Sequence, residues 1–236
     1  MSPPGAKPRE PLAQLVHTLG LFGVDTVVDV GANEGQYAAG LRAHGWDGPI
    51  VSVEPIPAVH ARLAARAAGD PRWTVLPPLA VGAEDGDALL ELSAESDMSS
   101  LLPQGEILRR VSPSSAVRER LRVPLRRLDG LALPAGRLFL KLDVQGGEWA
   151  ALDGAAGLLP RVAGLQVEMA LVTLYEGERP WRETVDRLEG LGFALHLLIP
   201  GYYERKLGRQ VQVDGVFYRE GAVPSLPRQG VATVSV

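Results

Sequence analysis

The stretch VVDVGANEGQY, Val27–Tyr37, constrains the fold more than any other part of this chain. It starts with a short apolar run, reaches an acidic residue, Asp29, and passes directly into a segment that contains Gly31 and Gly35. An apolar run that ends in glycines is typical of a buried strand entering a tight turn. The residues that follow, 36–44, have the apolar spacing of a helix. The stretch therefore predicts a strand, a tight turn and the start of a helix.

Apolar runs of the same kind recur along the chain and alternate with helical segments. Near-continuous apolar strands separated by helices indicate a mostly parallel sheet that is covered on both faces. The sequence thus predicts an α/β protein with a Rossmann-like fold. The predicted strands are TVVDV, PIVSVEP, WTVLP, RLFLKLDV, VAGLQVEMA, FALHLLI and QVQVDGVFYR. The predicted helices span Pro11–Phe22, Gln36–His44, Pro57–Ala68 and Trp181–Leu191.

Two further segments depart from this alternation. The segment LAVGAEDGDALLELS, Leu79–Ser93, has two alternating runs around an Asp-Gly pair, which predicts a β-hairpin. Residues 97–127 form an Arg-rich insertion, and its part Arg109–Arg127 contains seven Arg and one Glu. We interpret this Arg-rich run as the solvated face of a helix. The alternatives are a lid over a site and a surface that recruits an anionic substrate.

Length, charge and cysteine content narrow the class of protein. We expect one domain at residues 23–220, an N-terminal helix and extension at residues 1–22, and a loose tail at residues 221–236. The formal net charge of −4 argues against nucleic acid as a partner, because phosphate binding needs a basic surface. The chain has no cysteine, so thiolate chemistry is excluded. It shows neither a signal peptide nor a long apolar run, so we expect a cytoplasmic protein without a membrane anchor.

The turn after the first strand matches neither of the common phosphate-binding motifs. A dinucleotide site has the pattern G-x-G-x-x-G, and Asn33 stands where its second glycine is needed. No P-loop pattern occurs in the sequence. The acidic side chain of Asp29 repels a pyrophosphate but suits a ligand with an ammonium group. Glu54, at the end of the second strand, is placed to accept hydrogen bonds from both hydroxyls of a ribose.

A ribose and an ammonium group without a phosphate describe S-adenosylmethionine. The turn therefore favours this cofactor over NAD or a nucleotide. The alternative interpretation is structural: Asp29 caps a turn and Glu54 ends a strand at the surface. A dehydrogenase with a divergent turn is disfavoured by Asn33 and by the acidic residue at position 29.

Six motifs in a fixed order resemble the FkbM-like family of class I S-adenosylmethionine-dependent methyltransferases. The resemblance extends from about Val27 to Arg219. It implies a seven-stranded, mostly parallel sheet with an antiparallel last strand, helices on both faces, and methyl transfer to a hydroxyl of a sugar or another natural product. The motifs are VVDVGANEGQY, VSVEPIP, LAVGAEDG, FLKLDVQGGEWAALDGA, LQVEM and VDGVFYR.

The resemblance also implies which residues bind the cofactor. The turn would line its methionine and ribose part, Glu54 would hold the ribose, and Ala80 with Val81 would lie against the adenine. Asp143 and Gln145 would face the methionine end and the acceptor, and the stretch DMSSL matches a serine-containing segment of the family. The cofactor-binding residues implied in this way are Asp29, Gly31, Asn33, Gly35, Tyr37, Glu54, Pro55, Ala80, Val81, Ser99, Ser100, Asp143 and Gln145.

Methyl transfer to a hydroxyl needs help in removing the proton, from a base or from a divalent cation. Asp143 and Glu168 end two strands, and if these strands pair, the two carboxylates converge and form a candidate base or a Mg²⁺ site. Lys141 lies within a buried strand, so we expect it to pair with Glu168 or Asp143. Glu148 begins the next helix and is a fourth candidate catalytic residue, with stabilisation of the helix N-terminus as the alternative.

Several points remain open at the level of sequence. An N-methyltransferase for a small amine, and a protein that binds S-adenosylmethionine without catalysis, are the rival functions. Tyr175 and Glu176 follow the fifth strand and are expected to line the pocket of a small-molecule acceptor. The identity of the acceptor and the oligomeric state, a homodimer included, are not determined by the sequence.

Overall fold

The computed structural model describes residues 10–221. The N-terminal residues 1–9, and the predicted tail apart from Gly221, lie outside the described residues. The helices are α1 (Pro11–Leu21), α2 (Gln36–Ala43), α3 (Pro57–Ala67), α4 (Glu106–Val111), α5 (Glu148–Gly154) and α6 (Trp181–Gly190). The strands are β1 (Thr26–Val30), β2 (Ile50–Val53), β3 (Trp73–Val75), β4 (Ala80–Val81), β5 (Gly86–Ser93), β6 (Val117–Arg126), β7 (Leu138–Leu142), β8 (Val162–Ala170), β9 (Phe193–Pro200), β10 (Tyr203–Glu204), β11 (Arg209–Gln210) and β12 (Gln212–Arg219).

Seven of the strands form one sheet with the order β3-β2-β1-β7-β8-β12-β9. Six of them run parallel, and the last strand, β12, lies antiparallel between β8 and β9. This arrangement confirms the predicted seven-stranded sheet with an antiparallel last strand. It also confirms that the strands carrying Asp143 and Glu168 are neighbours, because β7 pairs with β8.

The centre of the sheet is buried on both faces, which explains its near-continuous apolar strands. Every residue of β1, β2 and β7 is buried. Alternate residues face two separate hydrophobic clusters: Val28 and Leu140 belong to one, and Val27 and Phe139 belong to the other. Asp29 and Lys141 lie on the same face of the sheet as Val27 and Phe139. Two charged side chains are therefore buried beside the second hydrophobic cluster. Among residues 10–221, no helix is long and apolar enough to span a bilayer.

The predicted hairpin at Leu79–Ser93 is wrong. Its two arms, β4 and β5, do not pair with each other; both pair with β6, in a separate three-stranded sheet of order β4-β6-β5. The local Asp-Gly signal indicated a turn correctly, but the partner strand comes from a distant part of the chain.

The predicted helix face in the Arg-rich run is also wrong, since most of that run is the strand β6. Along β6, Leu121, Val123 and Leu125 point inwards, and the arginines alternate with them on the exposed face. The period is therefore two, as in a strand with one buried face, rather than 3.6. The exposed arginines on this face are Arg118, Arg120, Arg122 and Arg126.

Candidate functional site

A cavity of about 380 Å³ lies at the carboxyl ends of β1, β2, β7 and β8 and extends under the small sheet. Ligands bind at this edge in open α/β sheets. Twelve of the residues predicted for the site line the cavity: Gly31, Asn33, Tyr37, Glu54, Pro55, Ala80, Val81, Ser99, Lys141, Asp143, Gln145 and Glu168. Four do not line it: Asp29, Gly35, Ser100 and Glu148.

The turn after β1 passes very close to the loop after β7. Gly31 has a φ of +77°, and a Cβ atom at this position would overlap the main-chain carbonyl oxygen of Asp143. Asn33 has a φ of +46°, which is uncommon for a residue other than glycine. The only other non-glycine residue with a positive φ between residues 10 and 221 is Gln145, at +54°, and it also lines the cavity. Strained backbone is thus concentrated in the two loops that form the cavity floor.

Gly35 and Ser100 have structural explanations instead. A Cβ atom on Gly35 would lie 2.7 Å from Leu63 Cδ1 and 2.8 Å from Trp73 Cζ2, so this glycine allows α2 to pack closely on its neighbours. The Ser100 hydroxyl donates a hydrogen bond to the carbonyl oxygen of Gln145 at 2.6 Å. Neither residue lines the cavity, but each supports a segment that does: Gly35 through the packing of α2, and Ser100 through its hydrogen bond to Gln145.

The carboxylate of Glu54 is buried at the end of β2, where it holds two loops in place. One oxygen accepts the N–H of Asn33 at 3.0 Å, and the other accepts the N–H of Ile56 at 2.9 Å. Burial raises the pKa of Glu54, although these two hydrogen bonds oppose the rise. Each carboxylate oxygen has a second lone pair, so both can still accept hydrogen bonds from a ligand in the cavity.

One wall of the cavity is apolar and comes from the small sheet. Ala80 and Val81 on β4, and Leu90 on β5, are buried and line the cavity together with Ile56. This wall is next to Glu54, so a flat apolar group and a polar hydroxylated group could bind side by side.

The opposite end of the cavity is polar and is organised by the side chain of Gln145. Its Nε2 donates one hydrogen bond to Asp143 Oδ1 and one to Glu168 Oε2, each at 2.9 Å. Glu168 Oε2 also accepts Gln212 Nε2 at 2.7 Å. Burial and the neighbouring carboxylates, first of all Asp143, raise the pKa of Glu168 well above its usual range. Glu168 is therefore a stronger proton acceptor than an exposed glutamate once it is ionised.

Lys141, on β7, lies between the carboxylates of Asp29 and Asp143. Its Nζ is 3.1 Å from Asp143 Oδ2 and 3.5 Å from Asp29 Oδ1, and it lies 5.1 Å from the centre of the Tyr37 ring. The expected pairing with Asp143 is present, and the pairing with Glu168 is not. Burial opposes the charge of Lys141, but Asp143, Asp29 and Asp214 outweigh it and raise the pKa of the ammonium group.

Glu148 lies outside the cavity and holds the loop that precedes α5. One carboxylate oxygen accepts the N–H of Val144 at 2.9 Å and the N–H of Gly146 at 3.2 Å. Burial raises the pKa of Glu148 to about 8. These contacts are structural, but they hold the loop before α5 rather than the N–H groups of the helix N-terminus, which was the alternative considered for this residue.

The carboxylates at the polar end do not fit a divalent cation. Within residues 10–221, no group of three or more His, Cys, Asp or Glu side chains is arranged to hold a metal ion. The Gln145 amide already lies between Asp143 and Glu168, and the Lys141 ammonium neutralises Asp143. Mg²⁺ needs oxygen ligands in near-octahedral geometry, and this donor set does not provide them.

Sequence reasoning missed part of the cavity wall and misplaced Tyr175. Gln212 on β12 and Tyr202 before β10 both line the cavity, because the antiparallel strand and its hairpin fold back over the polar end. Tyr175 is buried and does not line the cavity, and the Glu176 carboxylate lies 3.6 Å from Arg109 instead. The polar residues of QVQVDG were the available signal for Gln212, but their placement depends on strand pairing.

The sheet order, the antiparallel last strand and the cavity at the carboxyl ends are those of a Rossmann-like fold of the class I methyltransferase type. The sequence between residues 29 and 195 matches the family model described as the methyltransferase FkbM domain. The chain belongs to this family and is an S-adenosylmethionine-dependent methyltransferase.

Comparison with curated protein sequences finds no significant match. Solved structures with a similar fold include the 23S rRNA methyltransferase ErmE, at 12% identity, 93% coverage of this chain, 71% of that chain and a TM-score of 0.46. They also include mitomycin 7-O-methyltransferase MmcR, at 14% identity, 88% and 52% coverage, and a TM-score of 0.45. An O-methyltransferase from neocarzinostatin biosynthesis, bound to S-adenosyl-L-homocysteine and 1,4-dihydroxy-2-naphthoic acid, gives 12% identity, 88% and 56% coverage, and 0.45.

Proposed function

We propose that this methyltransferase acts on oxygen, at a hydroxyl group of a sugar or another natural-product acceptor. The observation that carries the proposal is Glu168, a carboxylate that lines the cavity and has a raised pKa. A neutral hydroxyl is a poor nucleophile until its proton is removed, and a carboxylate with a raised pKa is well suited to accept that proton.

The residues of the cavity fit S-adenosylmethionine, which supplies an activated methyl group when bound. Glu54 would accept hydrogen bonds from the ribose hydroxyls, and the apolar wall of Ala80, Val81 and Leu90 would take the adenine. The turn from Gly31 to Asn33 brings main chain close to the cavity, which suits the methionine part.

The polar end of the cavity suits an acceptor that carries hydroxyl groups. Gln212 and Lys141 provide donors, and Asp143 and Glu168 provide acceptors, within one region of the lining. Sugars and polyols offer both donors and acceptors at short intervals. In this arrangement Glu168 holds the proton of the hydroxyl, and Asp143, neutralised by Lys141, helps to orient the acceptor.

The cofactor part of the proposal is tested by calorimetry with S-adenosylhomocysteine. We expect micromolar binding by the unaltered protein and a loss of about 10- to 100-fold in Glu54→Ala, because two hydrogen bonds to a charged group are removed. Glu34→Ala is the matched control. Glu34 is a surface residue of the same turn that pairs with Arg62 and does not line the cavity. Equal affinities of the two variants would contradict the proposed role of Glu54.

The acceptor part is tested with S-adenosylmethionine labelled on its methyl group and two panels of acceptors, hydroxyl compounds and amines. We expect the labelled methyl group to be transferred to compounds of the hydroxyl panel. We also expect Glu168→Gln to lower kcat at least about 100-fold, because the base is lost. We also expect EDTA to leave turnover unchanged, because the donor set does not fit a cation. Transfer only to amines would establish the N-methyltransferase instead. Binding of the cofactor without transfer to any acceptor would favour the non-catalytic alternative.

A further inference from the structure

Tyr175 is almost fully buried, at 1% exposure, and does not line the cavity. Nevertheless its hydroxyl donates a hydrogen bond to Gln145 Oε1 at 2.8 Å and lies 3.2 Å from the main-chain oxygen of Met98. Its ring is packed against Leu108, Leu174 and other residues of a separate hydrophobic cluster. Tyr175 therefore contacts the polar end of the cavity only through Gln145.

The hydrogen bond from Tyr175 and the two carboxylates together determine which way the Gln145 side chain points. A carboxamide has a donor end, the NH₂ group, and an acceptor end, the oxygen. Because the Tyr175 hydroxyl engages the oxygen, the NH₂ group faces Asp143 and Glu168 and donates to both. The flipped amide would direct its oxygen at two carboxylates, which is repulsive.

The backbone of Gln145 is fixed as well. Its φ is +54°, and its carbonyl oxygen accepts the hydrogen bond from the Ser100 hydroxyl. A strained, left-handed residue persists only where its surroundings determine its conformation. Both the main chain and the side chain of Gln145 are therefore held by residues that lie outside the cavity.

We infer that Tyr175 is a positioning residue: its hydroxyl fixes the Gln145 carboxamide in the orientation that holds the Asp143 and Glu168 carboxylates together at the cavity. The importance of this for turnover rests on the proposed function, in which Glu168 accepts the proton of the acceptor. The orientation of the amide itself does not rest on that function.

The first test is the NMR signal of the Gln145 side-chain amide in protein labelled with ¹⁵N-glutamine, assigned by its loss in Gln145→Ala. In Tyr175→Phe we expect a shifted or broadened signal, because the amide loses the hydrogen bond to its oxygen and is held only by the two carboxylates. Tyr218→Phe is the matched control, since Tyr218 is fully buried and its hydroxyl lies 2.7 Å from Thr18 Oγ1 in another part of the core. An unshifted signal in Tyr175→Phe, or the same shift in Tyr218→Phe, would overturn the inference.

The second test is kinetic. We expect Tyr175→Phe to lower kcat about tenfold, the effect of one misdirected hydrogen bond, and to leave the affinity for S-adenosylhomocysteine within about twofold. The same substitution in a Gln145→Ala background should cause no further loss, because Tyr175 acts through Gln145. Additive losses, an unchanged kcat, or an equal loss in Tyr218→Phe would each contradict a positioning role.

Failure of the proposed function gives a different result. If Glu168→Gln keeps full turnover, Glu168 is not the base, whereas the amide signal still reports whether Tyr175 orients Gln145. A shifted signal together with an active Glu168→Gln variant would refute the proposed function. It would still support the inference that Tyr175 orients the Gln145 amide.

Discussion

Gly31 is the residue at which the turn after β1 meets the loop after β7. Two requirements coincide there, a left-handed backbone and the absence of a side chain, because the carbonyl oxygen of Asp143 occupies the space that a Cβ atom would need. Asn33 and Gln145 accept the same left-handed conformation without being glycines. Such a residue persists only where its surroundings determine its conformation, and both residues line the cavity.

Replacement of Gly31 by alanine should separate the two loops of the cavity. We expect Gly31→Ala to lose about 3 kcal/mol or more of the free energy of unfolding and to lose measurable binding of S-adenosylhomocysteine. Gly45→Ala is the control, because Gly45 also has a positive φ but has nothing within 4 Å of its Cβ position. Gly45→Ala should lose only about 1 kcal/mol of the free energy of unfolding, because only the positive φ is unfavourable for alanine there. Urea unfolding and calorimetry measure both effects, and equal losses in the two variants would contradict the steric argument.

The small sheet is the element that joins the Arg-rich run to the cavity. One face of β5 and β6 supplies Leu90 and Val123 to a hydrophobic cluster that includes Ala80, and the other face is exposed to solvent. Residues 120–126 of β6 therefore alternate between two environments, whereas the first residues of the strand are exposed on both faces. The alternation is present in the sequence, but the closely spaced charges and Pro124 made the segment look unlike a strand.

Two neighbouring leucines of β5 provide a test of this element. Leu90 is 4% exposed and lines the cavity, whereas Leu89 is 55% exposed on the outer face. Leu90→Ala should lose about 2–4 kcal/mol of the free energy of unfolding and weaken cofactor binding, because it removes part of the apolar wall. Leu89→Ala should change stability by less than about 0.5 kcal/mol. If the two variants behave alike in urea unfolding and calorimetry, the assignment of the two faces is incorrect.

Local patterns predicted the elements that lie within one stretch of sequence. The ends of α1, α2 and α3 agree with prediction to within one residue, and all seven strands of the main sheet were anticipated. The cavity residues at the ends of β1, β2, β7 and β8 followed from the rule for parallel sheets. Gln212 and Tyr202 could not be placed in this way, since their position depends on where β12 inserts. The same holds for β6, whose partners are separated from it in sequence.

At the scale of the whole molecule, buried acidic groups make stability depend on pH. Burial raises the pKa of Asp214 to about 6 and that of Glu148 to about 8. Such groups contribute stability that is fully present below their unfolded pKa values, near 4, and that is lost as the pH rises through the folded values. The native protein must then carry buried negative charges that the unfolded chain exposes to water.

We expect the free energy of unfolding to be lower at about pH 9 than at about pH 5, by an amount on the order of a few kcal/mol. Glu148→Gln should reduce this difference, because glutamine keeps an acceptor for Val144 and Gly146 but has no charge to lose. Urea unfolding at a series of pH values measures the effect. A free energy of unfolding that rises from pH 5 to pH 9 would show that these acids are not the dominant titrating groups.

The exposed arginines of β6 also give the outer face of the small sheet an excess of positive charge. Seven Arg and one Glu lie between Arg109 and Arg127, whereas the whole chain carries a formal charge of −4. Among residues 10–221, only two acidic side chains of β5 pair with arginines on this face, Glu91 with Arg120 and Asp87 with Arg122. A patch of positive charge on a molecule of negative net charge allows it to bind a charged matrix of either sign. The protein should therefore be retained at neutral pH by a cation-exchange resin as well as by an anion-exchange resin, with the small sheet turned towards the former and away from the latter.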